Sequence, residues 1–421
     1  MKKVVLYAVT ASMIFCNYAC NKEDTPDILD TTKDDMPFEP IELTVKQAKK
    51  ADADNRFAFN MFREVSALSD EPNTFFSPLS LNMALGMLYN GASGETRIEM
   101  AEILGMADFS ETEINEYYQK MSQALLDIDP ITDIKIANSI WYHDGFSVKQ
   151  PFINVSQKYF DAVVRSLDFN RSDAAEIING WCAEKTKDRI KDIIKEPIPD
   201  MIVIYLINAL YFKSQWQFEF DKAYTKHDEF TKTDNRKIMV NMMEQTTDLL
   251  YYANQHLQCV EMPYGNQAFS MAAVLPASDK GIDDLLEYLN NDTWHNIINN
   301  LHKQNIWLKL PRFKIECDIL LNEPLGNIGM TRIFDESLAG FENISDVNLF
   351  VSYIQQKTFV EVNEAGTEAA AVTVIGGGIT SVDPEIQVQI PFFANRPFLY
   401  LIKEKSTGVI LFIGRMDEPK E

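Results

Sequence analysis

Residues 363–385 read NEAGTEAAAVTVIGGGITSVDPE, and no other stretch limits the fold as sharply. The first half alternates as a β-strand does, yet it is built from Ala, Thr and Gly, which bury little. Three consecutive glycines follow, and no Lys or Arg occurs from Ala365 to Asn395. Sorted by strand parity, one face carries Thr367, Ala369, Ala371, Thr373, Ile375 and Gly377. The other carries Glu368, Ala370, Val372, Val374, Gly376 and Gly378. Beyond Glu368 neither face holds a charge, so either could enter a sheet without burying an unpaired ion. Two readings follow. The segment is an exposed, Ala-rich edge strand running into a loop, or it is competent to become a central strand but has no side chains that force it to do so early.

The rest of the chain must supply the sheet. With 421 residues, 46% hydrophobic and 11% aromatic, it can build a large core, which excludes global disorder. A formal net charge of −23 argues against nucleic acid as a partner, because phosphates require basic patches.

At the N-terminus, Lys2 and Lys3 precede an apolar run from Val4 to Phe15 that is too short to span a bilayer. The run ends at CNYAC, with small Ala19 directly before Cys20. This resembles a bacterial lipoprotein signal, although Asn17 and Tyr18 stand where small or aliphatic residues are usual. The expectation is a signal peptide over 1–19 and a lipidated Cys20, giving a secreted or cell-surface protein, an outer-membrane lipoprotein of a bacterium. Plain signal cleavage and a buried apolar start are the alternatives. Residues 20–50 are acidic, contain proline and read as a solvated tether, and the globular domain is expected over 51–421. Cys182, Cys259 and Cys317 are far apart, odd in number and without C-x-x-C spacing, so each reads as a small buried hydrophobe.

Helical spacing opens the domain at NRFAFNMFREVSAL, and SPLSLNMALGMLYNGASG follows with Ser77 as N-cap and Pro78 in the first turn. Further helices are expected over 95–104, 111–126, 151–160 and 172–187. Strand-like runs occupy 133–143, 201–212, 258–263, 269–276, 305–316, 349–362 and 408–416. With no repeat and no internal linker, this is one α+β domain with extensive sheet. The five histidines form no metal spacing, and neither a G-x-S-x-G elbow nor a phosphate loop is present.

Five motifs then occur in a recognisable order. They are NTFFSPLSLNMALGMLYNGASGET (73–96), NALYFKSQWQFEF (208–220), the LPRFKIE to LGNIGMTRIF region (310–334), EAGTEAAAVT (364–373) and FFANRPFLYLI (392–402). Together they resemble the serpin family over roughly 51–417. The resemblance implies a single α+β domain of three β-sheets with eight to nine helices and an exposed reactive-centre loop. It implies a suicide inhibitor, not an enzyme. An endopeptidase attacks the loop, forms an acyl-enzyme, and is trapped when the cut loop inserts into the main sheet; the addition of a strand to the sheet and the release of stored strain drive the change. About fifteen inserted residues at ~3.3 Å each would carry the protease on the order of 50 Å.

The resemblance assigns the hinge to Glu364, Gly366, Thr367, Glu368, Ala369, Ala370 and Ala371. The polar shutter beneath the main sheet falls on Ser77, Ser80 and Asn208, with Gln356 where the family usually has His, and the breach on Trp216. Counting from the hinge puts the reactive bond at Thr380–Ser381, with Ile379–Thr380 or Val382–Asp383 as neighbouring registers. A loop without Lys or Arg disfavours trypsin-like partners and favours elastase-like or subtilisin-like endopeptidases, with papain-like cysteine proteases as a further class. No cofactor and no metal are implied. A monomer that meets the membrane only through its lipid anchor is. The alternatives are a non-inhibitory serpin acting as a surface binding module or chaperone, and an unrelated secreted binding lipoprotein.

Overall fold

The computed structural model describes residues 38–368 and 388–421. The expected signal peptide, Cys20, and the residues from Ala369 through Thr380 and Ser381 to 387 lie outside this set.

The first helix, α1 (Val45–Leu68), starts with a capping box: Thr44 accepts from the Gln47 N–H, and the Gln47 side chain accepts from the Thr44 N–H. It begins six residues before the expected domain boundary, which corrects the tether expectation of 20–50. Lys50 is fully buried against Asp54, and Phe38, Ile41 and Leu43 lean on the core. The polar look of KQAKKADAD hid a helix whose one lysine is paired internally.

Eight further helices follow among the described residues: α2 (Pro78–Tyr89), α3 (Gly94–Ile103), α4 (Glu111–Asp127), α5 (Gln150–Phe160), α6 (Ala174–Lys185), α7 (Ile282–Tyr288), α8 (Asn291–Asn299) and α9 (Asn322–Asn327). None is long and apolar enough to cross a membrane. The strands in the first half of the fold are β1 (Thr74–Phe76), β2 (Asp133–His143), β3 (Val163–Leu167), β4 (Ile204–Gln215), β5 (Lys226–Thr231), β6 (Lys237–Ala253), β7 (Leu257–Pro263) and β8 (Phe269–Pro276). Those in the second half are β9 (His302–Pro311), β10 (Phe313–Leu320), β11 (Gln355–Asn363), β12 (Gly366–Thr367), β13 (Ile390–Phe393), β14 (Phe398–Glu404) and β15 (Ile410–Met416).

The strands form two ladders. The larger runs β1-β15-β14-β8-β7-β6-β9-β13, with β5 also on β6. The smaller runs β10-β11-β12-β4-β2-β3. The fold class is the expected one. Its three sheets appear as two because β6, 17 residues long, pairs with β9 along most of its length and with β7 over Leu250–Ala253, so it belongs to two sheets at once. The run 305–316 is two strands, broken at Arg312, whose N–H turns to the Asn241 carbonyl.

The inner face of the six-stranded sheet rests on α2 and the main core. Its outer face carries a second, smaller core under α6 and the connector to β4, where Trp141, Trp181, Ile193, Ile194, Ile202 and Tyr205 bury one another. A sheet covered on both faces explains the near-continuous apolar character of β4.

Candidate functional site

The order of the six-stranded sheet sets the site. β11 spans nine residues and β4 spans twelve, but among the described residues only Gly366 and Thr367 stand between them. Val362 and Asn363 of β11 pair with Thr367 and Gly366, and Ser214 and Gln215 of β4 pair with the same two residues. Below this point no ladder joins β11 to β4 among the described residues. A cavity of about 250 Å³ lies there, walled by Leu206 and Asn208 on one side and Tyr353 and Gln356 on the other, with Leu85 and Leu88 of α2 beneath.

The residues that the resemblance assigns to the hinge are tied down at the upper end. Trp216, 1% exposed, stacks on Tyr264 with ring centroids 4.4 Å apart, and its indole N–H donates to the Asn363 carbonyl at 2.9 Å. The Trp216 backbone N–H donates to the Ala365 carbonyl at 2.9 Å, and Phe220 N–H to the Glu364 carbonyl at 3.0 Å. The Thr367 hydroxyl is buried and meets the Tyr264 hydroxyl at 2.5 Å. Gly366 adopts φ +152°, and a Cβ there would lie 2.1 Å from the Ser214 carbonyl oxygen. Glycine is required by both the conformation and the space.

Two carboxylates flank the seated pair. Glu364 is buried and takes bonds from Arg312 and from the Thr225 hydroxyl at 2.5 Å. Burial pushes its carboxyl up, but the bonds from Arg312 and Thr225 outweigh it and hold the group below the usual glutamate value. Glu368 pairs with Arg189, yet burial dominates there and leaves its carboxyl raised.

Lower down, α2 holds the two halves of the sheet separately. Gln356 of β11 grips the backbone of Ser77: the Ser77 N–H donates to its Oε1 at 2.7 Å, and its Nε2 donates to the Ser77 carbonyl at 2.9 Å. Ser77 Oγ donates to the Leu411 carbonyl at 2.8 Å. On the β4 side, Ser80 Oγ donates to Asn208 Oδ1, whose amide donates to Asn138 of β2 at 2.6 Å. Gln356 therefore serves the β11 half and Asn208 the β4 half, each anchored to α2 one turn apart. The spacing Ser77–Ser80 is one helical turn, which is why a single helix can address both edges.

Of the residues singled out from sequence, the structure brings Glu364, Gly366, Thr367, Glu368 and Trp216 together at the top of the gap. Ser77, Ser80, Asn208 and Gln356 lie beneath it. Ala369, Ala370, Ala371, Ile379, Thr380, Ser381 and Cys20 fall outside the described residues. Sequence reasoning missed Tyr264, Arg312, Thr225, Arg189 and Asn138, because each meets its partner from a distant part of the chain and no local pattern names that partner, even for Arg312 inside the LPRFKIE motif.

Among the described residues, His143, Asp144 and Asp168 are a group of side chains close enough together to share a cation. The cluster sits at the end of β2 opposite the hinge. There His143 Nδ1 accepts from the Gly145 N–H at 3.1 Å and Nε2 lies 3.2 Å from the Asn170 amide. Its hydrogen-bonding capacity is thus already used. Cys182 and Cys259 are buried and free, and burial pushes the Cys182 thiol up to about 12, which makes it inert.

Comparison with known proteins agrees with this geometry. The family model for "Serpin (serine protease inhibitor)" matches residues 52–419. An uncharacterized serpin-like protein of Thermococcus kodakarensis is 32% identical over 402 residues, spanning 94% of this chain and 91% of that protein. Human neuroserpin is 32% identical over 373 residues, 86% of this chain and 90% of its own. The native state of tengpin, a thermophilic serpin, superposes with a TM-score of 0.80 at 29% identity and covers 91% of this chain and 97% of that one. The chain belongs to the serpin family, whose members are in general protease inhibitors rather than catalytic enzymes.

Proposed function

We propose that this protein is a suicide inhibitor of serine endopeptidases, with elastase-like or subtilisin-like enzymes as targets and papain-like cysteine proteases as a further class. The observation that carries the reading is the strand-wide gap between β11 and β4, already entered by Gly366 and Thr367. Below Ser214, the partner of Thr367, β4 continues for ten residues to Ile204, room for a strand of about 33 Å. The segment that follows Thr367 has the small, uncharged side chains such a strand needs.

The chemistry begins as ordinary proteolysis. The protease nucleophile attacks the carbonyl carbon of Thr380. The amide bond to Ser381 breaks, the Ser381 amine leaves with the proton, and Thr380 remains as the acyl group on the protease. The freed strand then follows Thr367 into the gap and drags the acyl-enzyme with it before water can cleave the ester. Trypsin-like enzymes are poor partners, since no Lys or Arg stands near the bond.

We place the inhibitor on the cell surface as a monomer, anchored through a lipid on Cys20 after removal of residues 1–19, as in a bacterial outer-membrane lipoprotein. The test of function is incubation with an elastase-like protease followed by denaturing electrophoresis and mass analysis. A complex stable to boiling and a released peptide beginning at Ser381 support inhibition. Cleavage with no complex from any protease of a serine and cysteine panel points to a non-inhibitory binding module or chaperone. The test of anchoring is radiolabelled palmitate, whose incorporation must vanish in Cys20→Ser.

A further inference from the structure

We propose that Arg189 is a positioning residue for loop insertion: it clasps Glu368 and keeps the hinge seated between β11 and β4, so that a cut loop enters from residue 369 onward instead of from Gly366. The proposal rests on the inhibitor reading above and goes beyond it by naming a residue outside the hinge that governs the insertion step.

Arg189 belongs to the connector between α6 and β4, not to the sheet. Its place is fixed by an unusual turn. Lys187 and Asp188 both adopt positive φ, 51° and 63°, which non-glycine residues rarely do. The turn is held by bonds to the end of α6: Asp188 N–H to the Ala183 carbonyl at 2.8 Å, and Arg189 N–H to the Thr186 carbonyl at 3.0 Å. The Thr186 side chain closes it, accepting from the Ile190 N–H at 3.0 Å and donating to the Cys182 carbonyl at 2.8 Å. A long, rotamer-rich side chain thus starts from a rigid base, which lowers the entropy cost of holding its partner.

From that base the guanidinium lies 4.8 Å above the ring of Phe359 on β11 and donates through Nε to Glu368. Glu368 is the last described residue of the hinge. Its N–H still reaches the Glu361 carbonyl at 2.6 Å, but its φ is 53°, so the ladder ends at this residue. Its side chain is only 6% exposed. Of its surroundings, Lys213 and Tyr211 on β4 are favourable, and Arg189 is the ion-pair partner. Without Arg189 this nearly buried carboxylate would regain water by lifting out of the sheet and taking Thr367 with it.

The experiment uses the full chain as wild type, Arg189→Ala, Arg189→Lys, Glu368→Gln and the Arg189→Ala/Glu368→Gln double variant. Two quantities are read with an elastase-like protease: inhibitor consumed per protease trapped, and the rate of tryptophan fluorescence change after the loop is nicked by a protease that is not trapped. A partly exposed charge-assisted bond predicts that Arg189→Ala slows insertion about tenfold and raises inhibitor consumption accordingly. Arg189→Lys should recover part of the loss, and the double variant should be no worse than the worse single one. A merely structural role would instead lower the melting temperature of the uncut protein and leave insertion unchanged. Insertion at the wild-type rate in Arg189→Ala, or additive effects of the two substitutions, overturns the proposal. If wild type traps no protease but its nicked loop inserts, the inhibitor reading fails while the insertion rates still decide the role of Arg189. If the wild-type loop does not insert at all, both are overturned.

Discussion

Gly366 has no room for a methyl group. An alanine there would put Cβ 2.1 Å from the Ser214 carbonyl oxygen and 2.7 Å from the Gln215 Cα, and both are backbone atoms of a central strand that cannot give way cheaply. Its φ of +152° adds strain to any L-residue. The accessible response is for the hinge to leave the gap. That forfeits the Ala365 bond to Trp216 at 2.9 Å, the Thr367–Tyr264 bond at 2.5 Å and the Glu368 bond to Glu361 at 2.6 Å. At about 1 kcal/mol net for each, the loss is on the order of 3 kcal/mol. The uncut protein should remain folded, because this is a small part of what one large core supplies. Insertion, however, must first re-seat the hinge, and 3 kcal/mol corresponds to about a hundredfold in rate. Hydrolysis of the acyl-enzyme would then win. Titration of residual protease activity, with denaturing gels in parallel, should show Gly366→Ala cut at the loop at the wild-type rate but forming little or no complex. Wild-type stoichiometry in Gly366→Ala would refute the claim that the seated hinge is the start of insertion.

Other substitutions address the neighbouring parts. Thr367→Arg would put a charge into the buried site beside Tyr264, a cost of several kcal/mol, and should turn the protein into a substrate while lowering the melting temperature of the uncut form by a few degrees in a thermal scan. Gln356→Ala leaves the buried Ser77 N–H without its partner, while the Ser77 carbonyl keeps the Leu81 N–H, and should cost about 1–3 kcal/mol, lowering the melting temperature of the uncut protein by a few degrees in a thermal scan. For Glu364 the folded-state value is depressed, so its contribution is complete above the usual 4.5 and is lost as pH falls through the lowered value. The stability difference between wild type and Glu364→Gln should therefore shrink in acid below 4.5 and stay constant above it. A difference that grew on acidification would contradict the Arg312 pairing. Glu368 runs the other way: its raised value means that ionisation costs stability as pH rises through it, so Glu368→Gln should remove a loss that wild type shows above the acid range.

The hinge was legible because its chemistry is local. A run of small, uncharged residues after Glu368 announces a strand without a packed face, while Gly366 entered through the family resemblance and its close approach to Ser214 shows only in the structure. Several strand bounds were equally plain: 133–143 and 269–276 alternate or bury as single strands do and fall where expected. What the sequence hid depends on distance along the chain. Arg312 meets Glu364 from 52 residues away and Arg189 meets Glu368 from 179; Arg312 stands in the LPRFKIE motif, but nothing in that motif names Glu364 as its partner, and Arg189 stands in no motif. β6 was missed because KIMVNMMEQTTDLLYYA lacks β-branched runs, and its strand character comes from pairing with β7 and β9. Lys50 misplaced the domain boundary, since a lysine reads as solvated until Asp54 is seen one turn on. The change from the family's usual histidine to Gln356 was visible, but its consequence was not. The amide engages only the Ser77 backbone, which leaves Asn208 to bond Ser80 and Asn138 on the far side of the gap.

The most direct test of the whole account is a thermal melt of the protein before and after a single cut in the loop, followed by far-UV circular dichroism. If the freed strand fills the gap between β11 and β4, it adds about ten residues of central ladder, and the midpoint should rise by tens of degrees with the chain otherwise intact. A cut protein that melts where the uncut one does would mean that the gap does not receive the strand, and the trapping mechanism would fall with it.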